Sequence, residues 1–155
     1  MRCHTVPHHG SYSVAEHSWH ATILLYQLHP DPSPALIRAM LTHDVAERFL
    51  GDLPAQAKWE NPDLDLAYHM VEKRVMANLG EPLVGLKPDE QIWLYAIDKL
   101  ECFLWCQDQR AMGNQHTQPM MQLLWEWFEK AGEGLPHSIR EFLETYKWSR
   151  SNEIV

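Results

Sequence analysis

Apolar residues in this chain recur every three or four positions between proline and glycine stops, and no segment alternates apolar with polar residues between hairpin turns. That pattern leaves helices as the building units. Residue usage agrees, since 19 Leu and 7 Met stand against 7 Val and 6 Ile, a balance that favours helix over strand. The expected fold is all-α: a compact bundle of about six helices, with residues 1–155 forming one domain.

Local signals place the helices. Ser13-Val14-Ala15-Glu16 has the form of a capping box and opens a helix that runs to about Leu28, where the Pro-rich stretch from His29 to Pro34 stops it. Ser33 caps a second helix, with Pro34 in its first turn. Its apolar stripe is Leu36, Ile37, Met40, Leu41, Val45 and Phe49, and Gly51 follows its end. Further helices are expected over 63–79, 88–112, 119–131 and 136–148, with 149–155 as a loose tail. The fifth helix, with Met120, Met121, Leu123, Leu124, Trp125, Trp127 and Phe128, is apolar almost all round. It is expected to contribute to a subunit interface, which predicts a homo-oligomer; ordinary core is the alternative.

Charge narrows the partners. The net charge of −8 comes with no basic run, so polymeric nucleic acid is not an expected partner. No stretch approaches the roughly 20 apolar residues of a membrane span. The N-terminal MRCHTVPHHG lacks the apolar centre of a secretory leader, which predicts a cytoplasmic protein. The odd number of cysteines (Cys3, Cys102, Cys106), without a CxxC pair, predicts free thiols.

Three helices each offer a polar group where a buried face would normally be apolar: His17 on the first, the adjacent pair His43-Asp44 on the second, and Asp98 on the fourth. An ionised carboxylate in such a setting is costly unless something compensates it. A shared divalent metal would compensate both aspartates, and two imidazoles with two carboxylates suit Zn, Mn, Fe, Co or Ni better than Ca. Taken singly, each is better read as a solvated or hydrogen-bonded side chain; it is the order His…His-Asp…Asp across three helices that favours a metal. Glu47 lies four residues after His43 and three after Asp44, on the same predicted helix face. His4, His8 and His9 are expected to belong to a polar loop, since Pro7 and Gly10 break any fixed ligand spacing.

The stretches Val14-Ala15-Glu16-His17-Ser18, His43-Asp44-Val45-Ala46-Glu47 and Gly51-Asp52-Leu53-Pro54 with Lys58 resemble the HD-domain metal-dependent phosphohydrolases, and within them the small 5′-deoxynucleotidase branch and its phage relatives. The resemblance spans roughly residues 2 to 110 and implies a helical HD-domain bundle. It implies His17, His43, Asp44 and Asp98 as metal ligands, and Glu47 as the group that positions or deprotonates the attacking water. Asp52 would lie in the substrate site, near the sugar or that water. Arg2 would contact phosphate or the nucleotide, and Lys58 would add a second phosphate contact. Cys3 stands where these relatives often carry a tryptophan against the sugar, and this departure leaves the preference for deoxyribose unassigned.

The expected cofactor is a divalent transition metal (Zn, Mn, Co or Fe), with Mg as an optional second ion, and the expected substrate is a small nucleotide cleaved at its 5′-phosphate ester. The short chain inclines the expectation toward phage-type triphosphohydrolases acting on dATP, in the host cytoplasm. The alternative is a 5′-deoxynucleotidase acting on deoxynucleoside monophosphates. A non-catalytic nucleotide-binding HD module is the alternative from another class, and retention of every ligand together with Glu47 argues against it. A zinc protease is disfavoured because the helix reads His-Asp-x-x-Glu rather than His-Glu-x-x-His.

Overall fold

A computed structural model describes residues 2–80 and 85–145. Among these residues the secondary structure is entirely helical. The elements are α1 (Val14–Leu28), α2 (Pro34–Thr42), α3 (Glu47–Leu50), α4 (Ala55–Glu60), α5 (Pro62–Asn78), α6 (Pro88–Ala111), α7 (Gln118–Ala131) and α8 (His137–Thr145), with a 3-10 turn at Gly132–Gly134. The all-helical bundle expected from the sequence is thus present.

Capping sets the first two helices. The Ser13 hydroxyl accepts the Glu16 N–H at 3.1 Å while the Glu16 carboxylate accepts the Ser13 N–H at 2.8 Å, so two end donors of α1 are satisfied reciprocally. The Ser33 hydroxyl accepts the Leu36 N–H at 3.1 Å, and Pro34 occupies the first turn of α2.

The second predicted helix is not continuous. It leaves regular α geometry after Thr42 and resumes only at Glu47. Between them the backbone tightens: Val45 N–H bonds Thr42 O at 3.1 Å and Glu47 N–H bonds Asp44 O at 3.0 Å, both three-residue steps. The cause is local. The His43 ring donates through Nδ1 to Met40 O at 2.8 Å, the carbonyl that a continuous helix would offer to the Asp44 N–H. The Gly51–Pro54 segment is non-helical as expected, with Gly51 at φ +80°. The following α4 was not anticipated.

Helix α6 is the central element. Its Ala96, Ile97, Leu100, Phe103 and Cys106 are buried against Ala21 and Leu25 of α1, Leu36 and Met40 of α2, Met121 and Phe128 of α7, and Ile139 and Leu143 of α8. Helix α7 contributes to this core: Met120, Leu124, Trp125 and Trp127 all lie partly buried against it. The core absorbs them because α7 lies along α6, where Phe103 packs against the rings of Trp125 and Phe128. Along α5, Leu64, Val71 and Leu79 are exposed, because α5 packs mainly on the short α3 and α4. Residues 146–155, including the last predicted turn of α8 and the tail, lie outside the described residues.

Residues 2–12 run as a strap beside α6. Gln109 accepts the His9 N–H at 2.8 Å and donates to His9 O at 3.0 Å, and Asn114 donates to Pro7 O at 2.9 Å. His8 sets its ring edge-on to Trp105. Arg2 N–H bonds Tyr12 O at 2.8 Å, which closes the strap and returns its start to the mouth of the bundle.

Candidate metal centre

Three helical segments converge where α6 crosses α1 and the end of α2. They bring His17, His43, Asp44 and Asp98 together, with one donor atom from each lying within 4.8 Å of every other. His17 Nε2 is 3.2 Å from His43 Nε2, 3.1 Å from Asp98 Oδ1 and 3.7 Å from Asp44 Oδ2. His43 Nε2 is 3.4 Å from Asp44 Oδ2 and 3.6 Å from Asp98 Oδ1. An ion about 2.1 Å from each donor would hold neighbouring ligands about 3.0–3.4 Å apart. The two-nitrogen, two-oxygen set therefore fits a divalent transition metal in chemistry and in spacing. The turn at His43–Ala46 contributes by presenting two consecutive residues to one point, which a straight helix would splay.

Both imidazoles are oriented from behind. The His43 bond to Met40 O leaves its Nε2 facing the cluster. His17 is fully buried, and its Nδ1 bonds the Glu101 carboxylate, which also accepts from the Tyr12 hydroxyl. Such a carboxylate–histidine pair fixes the tautomer and raises the basicity of the ligating nitrogen. Burial works against a charged His17, but the Asp98 and Glu101 carboxylates outweigh it and raise its pKa. Burial likewise opposes ionisation of Asp98, yet hydrogen bonds from His17 and His43 hold its carboxyl well below the usual range. Tyr12 is buried and stacks on Trp105 at 4.3 Å between ring centroids. Neither Glu101 nor Tyr12 was anticipated. The available signal was that Glu101 lies three residues after Asp98 on one face of α6.

The other candidate residues divide. The Arg2 guanidinium pairs with Asp44 through Nη1 and with Asp98 through Nη2, the latter at 3.4 Å. Burial disfavours its charge, but Asp98 leads the groups that keep it protonated. Glu47 is buried at 8% exposure, and its Oε2 accepts no hydrogen bond. Burial pushes its carboxyl up to about 7; Arg2 pulls it down and Asp52 pushes it up. Asp52 accepts the Cys3 backbone N–H at 3.1 Å, so it anchors the strap beside the cluster. Cys3 adopts φ +51°, a left-handed conformation unusual for a side-chain-bearing residue. Lys58 stands apart from the four donors. Its Nζ lies 5.0 Å from the centre of the Tyr68 ring, and its charge reaches Glu47.

An all-helical bundle that gathers His, His-Asp and Asp in this way has the ligand order of the HD superfamily. The comparisons specify it further. A family model described as 5′-deoxynucleotidase YfbR-like matches residues 1–148, and the chain belongs to that family. A 5′-deoxynucleotidase of Pasteurella multocida is 36% identical over 77 residues, which cover 43% of this chain and 39% of the relative. The chain thus spans about two-fifths of the length of that curated relative. Neither comparison supports the expected dATP triphosphohydrolase branch. Among the described residues no helix is long and apolar enough to cross a membrane.

Proposed function

We propose that this chain is a metal-dependent 5′-nucleotidase that releases orthophosphate from deoxynucleoside 5′-monophosphates. The observation that carries this reading is the meeting of four metal-type donors with a buried carboxyl, Glu47, and a half-buried cation, Arg2. The substrate class rests on the family and on the relative's name. The earlier inclination toward a triphosphohydrolase rested on chain length, and no residue of the site supports it.

His17, His43, Asp44 and Asp98 would hold a divalent transition metal; when bound, it supplies Lewis acidity that activates water and polarises a phosphoryl oxygen. Glu47 accepts a proton from the attacking water, a role to which a carboxyl near pH 7 is matched. Arg2 offers a planar, permanently charged donor pair beside the centre, suited to the phosphate oxygens. Lys58 adds positive field at longer range. Asp52 keeps the strap, and so Arg2, in register through the Cys3 N–H. Attack in line with the 5′-oxygen then releases the nucleoside, and the cations offset charge on the phosphoryl oxygens.

Product analysis tests the proposal. Purified protein is incubated with Mn, Co, Zn or Mg and a panel of deoxynucleoside mono- and triphosphates, and products are resolved by chromatography. The expected result is deoxynucleoside plus orthophosphate from the monophosphates. Intact inorganic triphosphate released from a deoxynucleoside triphosphate would overturn it.

A further inference from the structure

Cys3, from the strap, meets Cys102 and Cys106 of α6 beside the candidate centre. Cys102 and Cys106 lie one turn apart on α6. Cys3 Sγ and Cys102 Sγ converge on Met120 Sδ, at 3.8 and 3.9 Å. All three cysteines are free thiols. Cys102 and Cys106 are buried, whereas Cys3 is half-buried. The proposed hydrolysis uses none of these thiols as an acid, base or nucleophile.

We propose that Cys3 and Cys102 form a reversible disulfide that locks the Arg2 segment onto α6. Two features select this pair over Cys102 with Cys106. Residues four apart on a helix hold their Cβ atoms about 5–6 Å apart, whereas a disulfide needs about 3.5–4.5 Å. Cys3 instead sits on a non-helical strap whose backbone can adjust.

The oxidant required is a hydroperoxide. Its O–O bond breaks as the Cys3 sulfur takes one oxygen, giving a sulfenic acid and an alcohol, or water from hydrogen peroxide. The Cys102 sulfur then attacks the Cys3 sulfur. The S–S bond forms, the S–O bond breaks, and the hydroxyl leaves as water with the Cys102 proton. Two thiols lose two electrons and the peroxide gains them; a small dithiol reverses the step by exchange.

The cross-link bears on the metal centre. Cys102 lies one turn after Asp98, and Cys3 adjoins Arg2, which pairs with Asp44 and Asp98. A fixed Arg2 stays on those carboxylates and competes with a divalent cation. This consequence rests on the four-donor reading of the centre, but not on the identity of the nucleotide.

The full chain, stripped of metal and reduced, is treated with stoichiometric hydrogen peroxide, mapped by mass spectrometry and titrated with Co(II). The wild type should lose two hydrogens, yield a Cys3–Cys102 peptide and revert with dithiothreitol. Cys106→Ser should still cross-link, while Cys3→Ser and Cys102→Ser should not. The oxidised wild type should bind Co(II) about tenfold more weakly than the reduced form, the scale of a perturbed outer-shell contact. A Cys102–Cys106 product, over-oxidation without cross-linking, or equal Co(II) affinity in the two forms would overturn the proposal. Failure of the reduced chain to bind Co(II) would instead count against the metal centre, and it would remove the proposed consequence while leaving the cross-link to be read by mass.

Discussion

Burial raises the Glu47 carboxyl from 4.5 to about 7, so its charge changes near neutral pH. If Glu47 takes the proton of the attacking water, turnover rises with pH through about 7 and levels off above it. Glu47→Gln should keep its metal and lose about 100- to 10,000-fold in kcat, the range for a general base; undiminished turnover would remove it from the mechanism. The same shift predicts stability. In metal-free protein the raised value means that the uncharged form stabilises the fold, fully below about pH 4.5, with the contribution lost as pH rises through about 7. Denaturant midpoints should therefore show Glu47→Gln gaining on the wild type between about pH 5 and pH 8. Glu101 is a positioning residue, because it reaches the centre only through His17. Glu101→Gln should weaken metal affinity about 10- to 100-fold while adding excess metal restores turnover. His17, His43, Asp44 and Asp98 were legible as a group because of their order, His…His-Asp…Asp across three helices, and the structure brings them together. Glu101 was not, since a single glutamate on a helix looks like any solvated one until the partner imidazole is placed.

Among the elements, the starts of the two with explicit caps were legible to the residue. Ser13 with Glu16 and Ser33 with Pro34 mark the starts of α1 and α2 chemically. Ser13→Ala should cost about 1 kcal/mol in denaturant unfolding, because it leaves the Glu16 N–H without its partner. The break after Thr42 was not legible. The apolar stripe continues through Val45 and Phe49 at helical spacing, and only the His43 ring bond to Met40 O interrupts the backbone ladder. That side-chain bond both ends α2 and aims His43, so the sequence pattern failed where the site is built. Helix α4 follows Pro54 with no side-chain cap, and it left no sequence signal to find.

For the whole molecule, the bundle was legible because helical periodicity and stop residues agree along the chain. Which helix lies centrally was not, since that depends on tertiary packing. Helix α6 proves to be the hub, and it divides its surface: Ile97, Leu100 and Phe103 serve the core, Asp98 and Glu101 serve the centre, and Gln109 holds the strap. The strap was equally hidden, because Gln109 and Asn114 hold it from about one hundred residues away. The account turns on whether the four gathered side chains hold a metal that the hydrolysis requires. The direct measurement is metal stoichiometry alongside phosphate release, in wild type and Asp44→Ala, after chelation and reloading with Mn or Co. The account predicts one tightly held ion per wild-type chain with activity that returns as it loads, and neither metal nor activity in Asp44→Ala. Full activity in the chelated protein, or an Asp44→Ala chain that holds its ion as the wild type does, would contradict it.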